Sequence, residues 1–284
     1  AKKLRQALES FREGTVAVVV SAMPYKCPGA PYEGAMLIAD YFRRLGLKDK
    51  VKVCFYTPEP QPMPVAGPEL GKAVTEMLVS NGIACHPLHQ LTSVDAQNGK
   101  LTFEGKEHVA YDLLVAIPPH KSPAVVKEAG LTNDAGWIPV NQGTLETEHN
   151  NVYAIGDITS LPIPGRWKPD IPMMLPKAGV FAHAQAKVVV QRIVANINGK
   201  DSEAVFSGDG YCMLEAGKSV AGFAFGNFYA EPTPQVELRE LGKTWHIGKV
   251  MFEKWWLAPF GLKRSLLGQM LKTGGKFLGI KVDL

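Results

Sequence analysis

Residues 15–21 read Thr-Val-Ala-Val-Val-Val-Ser, apolar without alternation, which is the pattern of a strand buried on both faces of a parallel sheet. Ahead of it, Ala1-Lys-Lys-Leu-Arg-Gln-Ala-Leu-Glu-Ser-Phe spaces its apolar residues as an amphipathic helix. A proline-rich loop (23–31) follows. The pattern then predicts a helix over 32–45 stopped by Gly46, a strand over 51–56, a second proline-rich loop (58–68), a helix over 69–80 and a short strand over 82–86. Asn98-Gly99 and Glu104-Gly105 mark hairpin turns, and Tyr111-Asp-Leu-Leu-Val-Ala-Ile-Pro reads as another strand. Strands and helices that alternate in this way, with a small antiparallel insertion, predict a Rossmann-like domain over residues 1–118.

Residues 119–200 contain the apolar run Val152-Tyr-Ala-Ile-Gly-Asp, a proline-rich loop (161–176) and a long helix over 180–198. The remainder, 201–284, opens with strand-like pieces at 210–215 and 219–228. It closes with two stretches of helical apolar spacing separated by Ala258-Pro259. Trp245, Ile247, Val250, Met251, Trp255 and Trp256 mark the first; Leu262, Leu266, Leu267, Met270 and Leu271 mark the second. The expected class is α/β: a Rossmann-like domain (1–118), the C-terminal portion of a second dinucleotide-binding domain (119–200), and a small α+β region with amphipathic helices (201–284).

An apolar strand ending in Gly156-Asp157, then Leu175-Pro-Lys-Ala-Gly opening a helix, suits a flavin. The carboxylate can accept hydrogen bonds from a polyol, and a helix N-terminus favours partial negative charge on an isoalloxazine ring. Gly156, Asp157, Pro176, Lys177 and Ala178 are the candidate contacts, with Pro118 at the end of the preceding domain's last strand. No Gly-x-Gly-x-x-Gly turn, the usual cradle for an FAD pyrophosphate, occurs in the 284 residues. The expectation is therefore that the chain is the C-terminal two-thirds of a flavoprotein with two dinucleotide-binding domains. The turn after the first strand is Ser21-Ala-Met-Pro-Tyr-Lys-Cys-Pro-Gly-Ala-Pro, whose prolines offer no N–H to a phosphate, and strand 51–56 does not end in an acidic residue. Both features disfavour NAD(P)H.

Charge adds one asymmetry. The formal net charge is +4, yet Lys243, Lys249, Lys254, Lys263, Arg264, Lys272, Lys276 and Lys281 outnumber Glu253 and Asp283 in the tail. Basic residues interleaved with aromatics predict an anionic membrane surface rather than nucleic acid. No apolar run reaches the ~18 residues that span a bilayer. The four cysteines, at 27, 54, 85 and 212, have no metal-ligand spacing; Cys54 and Cys85 fall in strand-like runs as small apolar residues.

Cys27 precedes a helix N-terminus beside Lys26, a setting that favours a thiolate, and Glu33 lies in that helix's first turn, where a carboxylate could move a proton. Lys26-Cys-Pro-Gly-Ala-Pro-Tyr-Glu-Gly-Ala resembles the first redox-cysteine motif of sulfide:quinone oxidoreductases and flavocytochrome c sulfide dehydrogenases. Gly210-Tyr-Cys-Met-Leu-Glu-Ala-Gly resembles their second, and Phe228-Tyr-Ala-Glu-Pro with the Trp/Lys-rich tail looks like the quinone-reducing branch.

That resemblance implies a relay. Cys27 and Cys212 would form a disulfide against an FAD, hydrogen sulfide would attack one sulfur, and the electrons would pass through FAD to a quinone. Glu33 would serve as acid/base, Asp157 would bind the ribityl chain, and Lys177 would face the pyrimidine end of the reduced flavin. Trp255, Trp256 and Phe260 would enter a leaflet beside the quinone entry. The expected setting is peripheral, on a prokaryotic cytoplasmic membrane, with a homo-oligomer possible. Two alternatives stand beside it: a flavocytochrome-type dehydrogenase that reduces a cytochrome, and a non-catalytic docking scaffold. A third cysteine accompanies the pair in many members of this family, and neither Cys54 nor Cys85 matches its position.

Overall fold

The computed structural model describes residues 2–168, 171–280, 282 and 284. Its first part runs α1 (Lys2–Ser10), β1 (Gly14–Val20), α2 (Ala30–Arg44), β2 (Val51–Tyr56), α3 (Pro68–Ser80) and β3 (Ala84–His86). The antiparallel strands β4 (Leu91–Asp95), β5 (Lys100–Phe103) and β6 (Val109–Ala110) follow, then β7 (Leu113–Ile117). The main sheet is parallel with order β3-β2-β1-β7. The side-chain period of two divides β1 between two cores. Val16, Val18 and Val20 pack with Met36, Phe42, Val74 and Leu78 of α2 and α3, while Ala17 and Val19 face Cys54, Tyr56, Leu101 and Phe103 beneath the β4–β6 meander. An apolar run without alternation is what a strand covered on both faces requires.

The second part holds α4 (Ala124–Glu128), the short parallel pair β8 (Ile138–Pro139) and β9 (Thr159–Ser160), then β10 (Pro162–Lys168) and β11 (Ile171–Met174). The long α5 (Gly179–Ile197) follows, with Phe181 and Val189 in a core shared with Leu145, Leu161, Ile163 and Phe228. The third part is an antiparallel sheet, β12 (Asp209–Glu215), β13 (Ala221–Asn227) and β14 (Gln235–Gly242), followed by α6 (Lys243–Leu257) and α7 (Leu262–Phe277). Leu214 and Ala224 of this sheet, with Ala216 just after β12, join the core of α2 and α3. Strand β12 is thereby seated directly on the helix that starts beside Cys27.

Three segments differ from the sequence expectation. The apolar run 152–155 ahead of Gly156-Asp157 is not a strand: Tyr153 makes a single bridge to Glu146, and Gly156–Ile158 forms one tight helical turn. The proline-rich stretch 161–176 is an antiparallel ribbon, β10 against β11, rather than a loop. In a two-stranded ribbon each strand has an outer side without ladder bonds, so a proline can sit there without losing one. Strand β14 was also not anticipated, although Val236 and Leu238 pack inward while Gln235, Glu237 and Arg239 are exposed. Its three charged residues mask a period of two that is otherwise plain.

In the sheet order the chain moves from β1 outward to β2 and β3, then returns to the other side as β7. The C-terminal ends of β1 and β7 are therefore a topological switch point, where adjacent loops part and open α/β sheets place a crevice. The loop after β1 carries Cys27; the loop after β7 carries Pro118 and His120.

Candidate functional site

The thiol loop is held from several sides. The Lys26 amide donates to His120 Nδ1 at 2.9 Å, and the His120 amide donates to the carbonyl of Pro24 at 2.8 Å. The amide of Cys27 donates to the carbonyl of Lys177, tying the loop to the chain just ahead of α5. Cys27 has φ +56°, left-handed backbone that non-glycine residues seldom adopt. Its carbonyl accepts the Ala30 amide at 2.9 Å as α2 begins, with Pro31 in the first turn where no amide is needed.

Cys212, from β12, reaches the same helix start. A Cβ on Gly29 would stand at ordinary contact distance, 3.6 Å, from the Cys212 Sγ and closer, 3.1 Å, to Leu214 Cδ1, so β12 lies directly against the start of α2. Both cysteines are free thiols. The expectation of a stabilised Cys27 thiolate is reversed. Crowding around the sulfur raises its pKa above the usual thiol range, although the residue keeps exposed surface; the Ala30 and Gly29 amides and Lys249 pull downward, and Glu33 pushes up. Lys26 does not offset this, because its ammonium is turned to Asp157 at 3.9 Å. Burial pushes the Cys212 thiol to about 12, with the charges of Cys27 and Glu33 adding to the rise and Lys249 opposing it.

Glu33 is not a lone carboxylate. Its Oε2 accepts Lys249 Nζ at 2.6 Å and the Glu215 amide at 3.2 Å, and the same ammonium donates to the carbonyl of Met213 at 2.9 Å. One turn earlier on α6, His246 Nδ1 meets the Glu215 carboxylate at 2.9 Å. Lys249, grouped from sequence with a membrane-facing basic surface, is thus part of the thiol cluster. Nothing in the sequence pairs it with a glutamate 216 positions away.

Beside the thiols, at the switch point, opens a cavity of about 510 Å³ lined by Lys26, Pro119, His120, Trp137, Asp157 and Lys177, among others. Gly156 has φ +70° and its amide donates to Gln185 Oε1 at 2.6 Å; a Cβ there would stand 3.0 Å from the Ala182 methyl of α5. The glycine thus lets the helix approach the turn that presents Asp157. Lys177 Nζ donates to the carbonyls of Asp157 (2.7 Å) and Thr159 (3.0 Å) and lies 3.6 Å from the centre of the Trp137 ring. Desolvation lowers its pKa to about 8, against an opposing pull from Asp157. Pro176 and Ala178 flank this lysine at the start of α5, whereas Pro118 is exposed at the end of β7.

The tail departs from its expected role at one aromatic. Trp255 is 5% exposed, edge-on to His183 and beneath the Arg264 guanidinium, which lies 4.4 Å from its ring centre. It is a core residue between α6 and α7 and has no surface to offer a leaflet. Arg264, counted with the basic face, also donates to the carbonyls of Trp256 and Ala258 at the end of α6. Trp256 (42%) and Phe260 (93%) are exposed, beside exposed Leu257, Leu262, Leu266 and Met270. Among the described residues no helix is long and apolar enough to cross a membrane.

A family model described as pyridine nucleotide-disulphide oxidoreductase matches residues 34–186. The chain belongs to this family. The match includes Gly156, Asp157 and Lys177 but neither Cys27 nor Cys212, so it is independent of the thiols. The chain is 31% identical over 168 residues to the mitochondrial sulfide:quinone oxidoreductase of Mus musculus, covering 57% of this chain and 37% of that protein. It is 26% identical over 268 residues to the sulfide-quinone reductase of Aquifex aeolicus, covering 90% and 61% respectively. The solved sulfide:quinone oxidoreductase of Aquifex aeolicus shares its fold, with a TM-score of 0.79 at 23% identity over 96% of this chain and 65% of that one. The chain thus spans 37% and 61% of the length of these two curated relatives.

Proposed function

We propose that this oxidoreductase carries the thiol side of a sulfide:quinone oxidoreductase, with Cys27 and Cys212 as its redox pair and FAD in the cavity at the switch point. The observation that carries the reading is convergence. Two cysteines from distant segments meet at Gly29, within a turn of the Glu33–Lys249 pair, and the backbone of one is bonded to the residue that lines the adjoining cavity. In this reading residues 1–118 are the nicotinamide-domain-like part, 119–200 the flavin part and 201–284 the part that supplies the second thiol.

The residues around the cavity fit the isoalloxazine and ribityl end of the cofactor. Asp157 offers acceptors to a polyol, Lys177 a cation with depressed pKa, and Gly156 the close approach of α5. FAD, when bound, supplies two-electron acceptance from a thiolate and release to a quinone. The protein's own part begins with the oxidised pair. Hydrosulfide attacks one sulfur of the Cys27–Cys212 bond; a new S–S bond forms, the old one breaks, and the other cysteine leaves as a thiolate. Lys249 favours that thiolate electrostatically, being the cation that lowers the pKa of both cysteines, and Glu33 beside it can hold the proton that sulfide releases. Trp256, Phe260 and the exposed leucines of α6 and α7 would dock against a lipid surface, which favours quinone over a soluble cytochrome as acceptor.

The test is anaerobic addition of sulfide to the FAD-loaded protein. The reading expects the flavin absorbance to bleach and a soluble quinone to restore it. A flavin indifferent to sulfide and bleached by NADH would contradict it.

A further inference from the structure

Glu59 belongs to neither the thiol cluster nor the cavity. It sits in the loop between β2 and α3, 1% exposed, and its Oε2 gathers three hydroxyls. Tyr25 and Thr57 each donate to it at 2.9 Å, and Tyr32 donates in a shorter bond. A carboxylate this deeply buried is disfavoured unless hydrogen-bonded, and a hydrophobic residue would fill the same space at less cost. Its partners suggest why it is there. Tyr25 and Tyr32 flank Cys27 on either side along the chain. The Tyr25 hydroxyl also lies 3.3 Å from the carbonyl of Pro28, and the Tyr32 ring packs on Phe55 of β2 with centres 4.5 Å apart. Between these anchors Cys27 adopts its left-handed conformation. Such a conformation persists where its surroundings over-determine it. Backbone bonds to His120 and Lys177 tie the loop toward the cavity side, whereas Glu59 attaches both of its ends, through Tyr25 and Tyr32, to the neighbouring strand's loop.

We propose that Glu59 is a positioning residue for Cys27: by collecting the hydroxyls of Tyr25, Tyr32 and Thr57 on one oxygen, it clamps the loop so that the thiol is held toward Cys212. The consequence for electron transfer rests on the redox-pair reading above; the clamp is a property of the loop itself. It predicts a split that general destabilisation does not produce. Loosening the loop should make Cys27 easier to reach from solvent and less able to find Cys212.

The experiment uses the full chain, with peptide mass spectrometry following each cysteine separately. In Glu59→Leu, iodoacetamide should label Cys27 about tenfold faster as local opening increases. Closure of the Cys27–Cys212 disulfide in a glutathione buffer should slow about tenfold as effective concentration is lost. Glu59→Gln keeps an oxygen that accepts hydroxyls and should recover most of both rates. Cys54, buried in β2, reports the fold and should stay unlabelled. If Glu59→Leu exposes Cys54, Tyr25→Phe takes its place, removing one donor while keeping the ring. The clamp is overturned if Cys54 stays protected and Cys27 labelling stays within about twofold of wild type in these variants, a change too small to mark local opening. Identical losses in the Gln and Leu variants would overturn it as well. If the wild-type pair never closes, the redox-pair reading fails, while the labelling arm still judges the clamp.

Discussion

Lys249 ends 2.6 Å from Glu33 and 2.9 Å from the carbonyl of Met213, so one ammonium joins α6, the first turn of α2 and the strand of Cys212. Replacing it with methionine keeps the stem and removes the charge. Glu33 would retain the Glu215 amide but lose its cation, and both thiols would rise further above their ordinary range. Sulfide-driven flavin reduction in Lys249→Met should therefore slow by about tenfold or more and shift to higher pH. An unchanged stopped-flow rate across pH would remove Lys249 from the chemistry.

The buried titratable groups also set a pH dependence of stability. Lys177 is lowered to about 8 from 10.5, so between those values the unfolded chain binds more protons and stability rises with pH. Cys212 runs the other way: raised from 9 to about 12, its contribution is complete below 9 and is lost as pH climbs toward 12. Cys27 and Cys85 are raised as well, so three thiols oppose Lys177 as pH nears 9, and Lys177 leads only near pH 8. There, urea midpoints of the apo-protein should increase with pH, and Lys177→Met should abolish the increase.

Among the elements, the contact of α5 with β12 links the flavin-side helix to the second thiol. It depends on Gly210, where a Cβ would stand 2.2 Å from the buried Phe181 ring. Gly210→Ala should cost about 1–3 kcal/mol through overpacking. It should also weaken FAD retention, because moving Phe181 moves the start of α5; chemical denaturation and flavin release check the two effects. This contact could not be read from the chain, since a glycine two residues before a cysteine carries no trace of the ring it accommodates. By contrast, β1, β2, α2, α3 and the helices of the tail were legible, because burial on one or two faces imposes a period on the sequence itself. Cys27, Cys212, Glu33 and Asp157 stand out in the sequence as candidates, through motifs of residue type and order. Lys249, Glu59 and Trp137 do not: each meets a partner far along the chain, and only folding reveals the pairing. Trp255 failed for a related reason. Helical spacing placed it on an apolar face, but both faces of α6 carry aromatics, and spacing alone does not say which one α7 covers.

At the scale of the molecule, the thiol cluster and the exposed apolar surface lie on different sides of the same helices. The inner side of α6 supplies Lys249 and Trp255, while the outer side of α6, α7 and their connection presents Trp256, Leu257, Phe260, Leu262, Leu266 and Met270. Trp255→Ala should unfold this region, at about 3–5 kcal/mol for a buried tryptophan. Phe260→Asp should leave stability nearly unchanged and reduce co-sedimentation with anionic vesicles; equal vesicle binding by wild type and Phe260→Asp would exclude that residue from the docking surface. The central claim, that Cys27 and Cys212 act together between sulfide and FAD, is tested most directly by anaerobic stopped-flow reduction of the flavin by sulfide in Cys27→Ser and Cys212→Ser. The account predicts that each loses the reaction by about a hundredfold or more, because neither thiol can complete the exchange alone. A near-wild-type rate in either variant, with flavin still bound, would contradict it.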